Sequence, residues 1–185
     1  FCLSWGGFIV RSFEEATVWE MLFLRSFFFL LALTVFLISI YKKNTFKIIK
    51  DSGFPGVLGG FVMSFSFVAF VLAMNSTTVA NVVFIISTQT MFLAIFGYFY
   101  LKEKVSLIGS ISIFLAMSGI AIMVGDSISS GSLFGNLVAL AIPINFAILV
   151  MIIRKNTNLD MVPAIFYSGV FSLIYGFFLT ESFRF

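Results

Sequence analysis

Long apolar runs in this chain are broken at a few positions by side chains that could hold a solute. Arg25 stands in the run MLFLRSFFF, and a guanidinium can fork onto a carboxylate or a phosphate. Asn81, Thr88 and Gln89 supply amide and hydroxyl groups, and their spacings of seven and eight residues put all three on one helical face. That polar face is expected to line a central cavity; its other use would be hydrogen bonding between helices. Asn145 follows Pro143 by two residues. Proline removes one helical hydrogen bond, so Pro143 marks a kink or a hinge, and Asn145 either satisfies a freed backbone group or faces a cavity. Trp5 would wall a cavity or, like Trp19, anchor the chain at a membrane interface. Arg25 has a plainer alternative of its own, reaching along its stem to headgroups. Glu103, between Lys102 and Lys104, either balances local charge or holds helix ends together.

These groups bind and orient; none of them makes or breaks bonds. The chain has no His, and Cys2 is its single Cys. A His/Cys zinc site, a Ser-His-Asp triad, a Cys-His pair and a disulfide are therefore all impossible within it. No Gly-rich phosphate loop, paired carboxylates within a span or metal-ligand cluster stands in the sequence. Enzyme motifs are thus absent from these residues, and no metal and no cofactor is expected.

The elements that must position these residues follow from composition. Of the 185 residues 61% are hydrophobic and 10% charged, and the mean hydropathy is +1.14. A soluble domain carries about 45–50% apolar and about 25% charged residues. An ordinary soluble domain, a disordered tail and a nucleic-acid-binding module are excluded, which leaves a polytopic, all-α membrane protein. A crossing needs about 20 mostly apolar residues. Seven segments qualify or are clipped: 1–10, 19–41, 54–74, 78–101, 105–124, 133–153 and 162–180. In hydrocarbon each must pair its own backbone groups, so all are expected to be helices in a bundle in the lipid bilayer. The connections are short, apart from the basic stretch 42–53, which reads as a surface helix. The chain starts at Phe1 within an apolar segment, so both ends are expected to be cut.

Charge sets the orientation. The connections after the second, fourth and sixth segments carry eight basic residues: Lys42, Lys43, Lys47, Lys50, Lys102, Lys104, Arg154 and Lys155. The alternate set carries two, Arg11 and Arg184, accompanied by Glu14, Glu15, Asp126 and Glu181. The basic set is expected on the cytoplasmic side, and the N-terminus with it. Small residues recur at helical spacing in two places, Gly56, Gly60 and Ser64, and Gly109, Ser112, Ala116 and Gly119. They would let helices pack closely where lipid provides no hydrophobic drive.

The stretch 81–106, NVVFIISTQTMFLAIFGYFYLKEKVS, resembles the fourth span and following turn of EamA-like proteins of the drug/metabolite transporter superfamily. There the span ends in a Leu-Gly-Glu-like turn; here it is Leu101-Lys102-Glu103. Trp5-Gly6 is similar to the Trp-Gly of that family's first helix, and Arg25 to the Arg early in its second. Two departures stand out. Lys102 replaces the usual Gly, and the Pro often found thirteen residues before the Glu has no counterpart near Thr90, beside Gln89. The resemblance implies ten helices in two inverted repeats of five. Residues 1–124 would then form the first repeat, its first helix truncated, and 133–185 the start of the second. A shift of 143 residues aligns 11–35 with 154–178, matching Arg11 with Arg154, Phe23 with Phe166, Phe28 with Phe171 and Leu30 with Leu173.

The function implied is secondary transport of a small metabolite across the inner membrane of a bacterium, more readily as an exporter. Arg25, Trp5, Asn81, Thr88, Gln89 and Asn145 would bind the substrate, and Glu103 and Pro143 would serve structure or gating. The alternatives are a membrane-embedded enzyme or a non-transporting structural subunit. Monomer and homodimer are both open.

Overall fold

The computed structural model of the chain describes residues 18–102, 106–130 and 133–180. Among the described residues the helices are α1 (Val18–Tyr41), a 3₁₀ turn (Lys42–Asn44), α2 (Thr45–Asp51), α3 (Gly53–Ser76), α4 (Val79–Ser87), α5 (Gln89–Leu101), α6 (Leu107–Ser130), α7 (Leu133–Lys155) and α8 (Val162–Leu179). Five stretches are long and apolar enough to cross a membrane: Val18–Asp51, Gly53–Ser76, Val79–Leu101, Leu133–Lys155 and Val162–Leu179. The expected span 105–124 is helical within α6, where the apolar stretch Leu107–Ile122 is shorter than the other five. The expected first segment, 1–10, lies outside the described residues.

The basic connection is helical as expected, in the 3₁₀ turn and α2. Tyr167 on α8 donates from its hydroxyl to the Ile49 carbonyl at 3.0 Å, which ties α2 to the bundle. At the same end Tyr41 donates to Asp160 Oδ2 at 2.5 Å, while Asp160 Oδ1 accepts from the Val162 N–H that opens α8. One carboxylate thus joins the last residue of α1 to the first turn of α8.

Helix α3 is the centre of the bundle and packs along α7 and α8, while α1 lies antiparallel along α8. The stripe Gly56, Gly60 and Ser64 is what permits this. A Cβ on Gly60 would overlap the Tyr167 Cβ and the Ala164 carbonyl, so the two backbones touch there without intervening side chains. The second stripe is less enclosed: Gly109, Ala116 and Gly119 are half-buried and Ser112 is exposed, on a helix that packs lightly against the others.

The span expected as one helix over 78–101 is two, with a break at Thr88. Its ψ is 1°, and its N–H turns to the Ile85 carbonyl at 3.1 Å, three residues back instead of four. The Thr88 hydroxyl donates to that same carbonyl at 2.6 Å. The Phe84 carbonyl, released by the tighter turn, accepts from the Ser87 hydroxyl at 2.6 Å. Adjacent hydroxyls therefore make the break that a Pro would otherwise make, by competing with the helical ladder. At the far end of α5, Lys102 takes φ 54° and ψ 30°, the left-handed conformation that glycine favours after a helix. Lys102 thus fills the place of the family's Gly with the geometry of a Gly.

The apolar interior is uneven along the bundle. Towards the end opposite the lysines, Met21, Leu22, Phe70, Val71, Met74, Val82, Ile85, Ala139 and Ile142 close together from α1, α3, α4 and α7. Towards the basic end the second cluster is Leu149, Met161 and Ala164, and the last turns of α1 expose Val35, Phe36, Ile38 and Ile40.

Candidate functional site: a polar level at mid-depth

Three hydrogen-bonding residues mark the end opposite the lysines. Thr77 follows α3, Asn81 lies in the first turn of α4, and Asn136 in the first turn of α7. The Thr77 hydroxyl donates to Asn136 Oδ1 at 2.8 Å. The Asn81 amide donates to Thr77 Oγ1 at 3.2 Å and to Asn136 Oδ1 at 3.4 Å. Thr78 caps α4, its hydroxyl accepting from the Asn81 N–H at 3.2 Å. The approach is close because α7 has Gly135 here, where a Cβ would meet the Ser76 carbonyl and Thr77. Asn81 is therefore committed to bonds between helix ends. Asn136 is fully buried at its centre, and nothing in its sequence neighbourhood marks it.

Below this cluster, at a rise of 1.5 Å per residue, Gln89, Asn145 and Ser66 lie about 12 to 16 Å deeper. That is the middle of a core about 30 Å thick. Gln89 starts α5 directly after the break, half-buried, with no hydrogen-bond partner among the described residues. Asn145 is likewise half-buried and without a partner. Its amide does not take up the backbone group freed by Pro143, which is fully buried in a helix that runs on through it. Ser66 is 2% exposed, and its hydroxyl has no partner among the described residues. Its neighbour Ser64 bonds back to the Phe61 carbonyl at 2.6 Å. No sequence signal separates the two serines. Thr88, 6% exposed, is satisfied by its bond to Ile85.

Helical periodicity brings Ser66 and Asn145 to facing surfaces. A Cβ on Gly59 of α3 would meet Leu149 Cδ1 of α7, so those two positions define where the helices touch. Ser66 lies seven residues from Gly59, and Asn145 four from Leu149, each on the same stripe of its helix as that contact.

Arg25 stands one turn nearer the closed end. Its guanidinium carbon lies 4.4 Å from the Phe70 ring centroid and 5.2 Å from that of Phe67, both on α3. Phe70 is four residues from Ser66, on the same stripe. Arg25 sits about 10 Å along α1, and Phe70 about 9 Å from the end of α3, so the side chain crosses at its own depth and does not climb to the headgroups. Its side chain keeps exposed surface beside those rings. No carboxylate among the described residues pairs with it.

Glu20 went unread in the sequence: it is 6% exposed in the first turn of α1, where a carboxylate favours the helix dipole. Trp19 packs half-buried against the apolar cluster of the closed end. Trp5 and Glu103 lie outside the described residues.

Fold and site together define a multi-pass helical membrane protein with polar groups held at mid-depth. The model of the EamA-like transporter family matches residues 1–125. The chain belongs to the EamA-like transporter family, within the drug/metabolite transporter superfamily. No curated protein and no solved structure matches it.

Proposed function

We propose that the protein is a secondary transporter that carries a small metabolite outward across the inner membrane of a bacterium. The observation that carries this reading is the mid-depth level of Ser66, Gln89 and Asn145, whose hydrogen-bonding groups have no protein partner among the described residues. Leaving such a group dry costs about 1–3 kcal/mol each by protein mutational measures. A path that admits water and solute removes that cost. Arg25 and Thr88 flank the path, and Pro143 serves its gating. The basic end faces the cytoplasm, as does the N-terminus. The apolar closure at one end and the sparser packing at the other support an inward-facing arrangement.

Alternating access would come from rocking two inverted repeats about this level, the first over 1–124 and the second beginning within 133–185. Reconstitution into proteoliposomes tests the reading, with cysteines at Asn44 and Ser129 reporting orientation. Counterflow of a solute should fall on Gln89→Leu and Asn145→Leu at unchanged insertion, and Ser129 alone should label from outside. Undiminished flux in both variants would remove the mid-depth path.

A further inference from the structure

The chemistry around Arg25 narrows the substrate, on the footing of the transport path just proposed. Among the described residues, Arg25 is the one Lys or Arg that lies within α1 or within α3 to α8 away from a last turn. A guanidinium in such a place calls for an anion, because an unpaired charge in a low dielectric is costly. The structure provides rings instead: the guanidinium carbon lies over Phe70 at 4.4 Å and over Phe67 at 5.2 Å from the ring centroids. Rings attract the charge without the two-point N–H···O fork that a carboxylate would accept, and that fork remains available to a carboxylate of the solute. Phe67 is itself braced edge-on by Phe29 at 5.3 Å, so the cradle is built from α1 and α3 together.

What lies beyond the cradle is neutral. On the same stripe of α3, Ser66 stands one turn deeper, about 6 Å from the level of Phe70. Its buried hydroxyl lacks a partner, and the Asn145 amide is on the facing stripe of α7. No second cation is present at this depth among the described residues. A second negative charge on the solute would stay uncompensated, and an ammonium group would find no carboxylate there.

We infer that the site takes a small organic monoanion, with one carboxylate on Arg25 and a neutral hydrogen-bonding group directed one helical turn deeper, towards the level of Ser66 and Asn145. A hydroxy acid with its hydroxyl four methylenes from the carboxyl group has these features. Glutarate is the matching dianion, pentanoate lacks the distal group, and 1,5-pentanediol lacks the charge.

The test is equilibrium binding of radiolabelled 5-hydroxypentanoate to the full chain in phosphatidylcholine nanodiscs, with competition by the three analogues and flux measured separately in liposomes. Binding should weaken about tenfold or more in Arg25→Gln, and less in Arg25→Lys, which keeps the charge but loses the fork. Ser66→Ala should weaken 5-hydroxypentanoate while leaving pentanoate unchanged. Glutarate and 1,5-pentanediol should compete poorly. No binding to the wild type, equal binding to Arg25→Gln, or competition by the diol as strong as by the acid would each overturn the inference. Displacement by added phosphatidylglycerol would overturn it as well, by assigning Arg25 to a lipid phosphate. Binding with the expected Arg25 dependence but no flux would sink the transport reading and leave the anion site standing. Flux of a neutral solute untouched by Arg25→Gln would do the reverse.

Discussion

Ser26 on α1 and Ser172 on α8 are 146 residues apart in sequence and share one hydrogen bond, 2.6 Å between their hydroxyl oxygens. Both are buried, at 2% and 0% exposure, in the middle of the contact between the two helices. Either hydroxyl alone would be an unsatisfied group inside the bundle; together they form a short polar bridge where apolar packing would hold the helices less specifically.

A sign can be read from that pairing. Ser26→Ala strands the Ser172 hydroxyl and should lower stability by about 1–3 kcal/mol. The double variant Ser26→Ala/Ser172→Ala removes both groups and should recover most of the loss. A double-mutant cycle on unfolding in mixed micelles measures it. Additive losses would mean that the two hydroxyls are satisfied independently.

Asn136 holds the end opposite the lysines. Replacing it with Leu removes the acceptor of both Thr77 and Asn81 and sets a branched side chain into a fully closed space. The cost should be about 2–4 kcal/mol, the sum of stranded partners and overpacking. Asn81→Leu should cost less, since Thr77 and Asn136 keep their bond. Thermal midpoints in detergent would rank the two, and the opposite order would place the centre of the cluster at Asn81.

The break between α4 and α5 rests on two hydroxyls. In Ser87→Ala/Thr88→Ala the Phe84 carbonyl loses its side-chain donor, and the Thr88 N–H is free to return to it in a regular helical bond. Spin labels at Val83 and Tyr98 should then report one narrow distance for a continuous helix. Stability should change by less than about 1 kcal/mol, while flux falls because Gln89 is turned relative to α7. An unchanged distance would mean that packing against α7 bends the helix by itself.

Lys102 is held at a positive φ that costs a residue with a Cβ. Lys102→Gly should therefore stabilise the protein by about 1 kcal/mol, seen as a higher unfolding midpoint. Loss of one of several basic residues at that end should leave the orientation unchanged. A lower midpoint would show that the lysine side chain contributes more than its backbone costs.

Hydropathy and charge carried much of this protein in plain view. The membrane class, the helices behind 19–41, 54–74, 133–153 and 162–180, the basic surface helix and the close packing at Gly60 all come from local composition and period. Each depends on a segment's own solvent: twenty apolar residues must cross as a helix wherever they are, and a glycine admits a neighbour whichever helix that is. Arg25, Gln89 and Asn145 were legible as candidates for the same reason, as polar groups in apolar runs. Their surroundings were not. Asn81 and Gln89 share a span and look alike as amides, yet Asn81 is taken up by Thr77 and Asn136 while Gln89 has no partner among the described residues. Ser64 and Ser66 are two residues apart, yet one bonds its own helix and the other is buried unpaired. Whether a hydroxyl or an amide is satisfied depends on which face of which distant helix lies within about 3 Å of it. That distance is set by packing between segments as far apart as Ser26 and Ser172, and only the tertiary structure decides it.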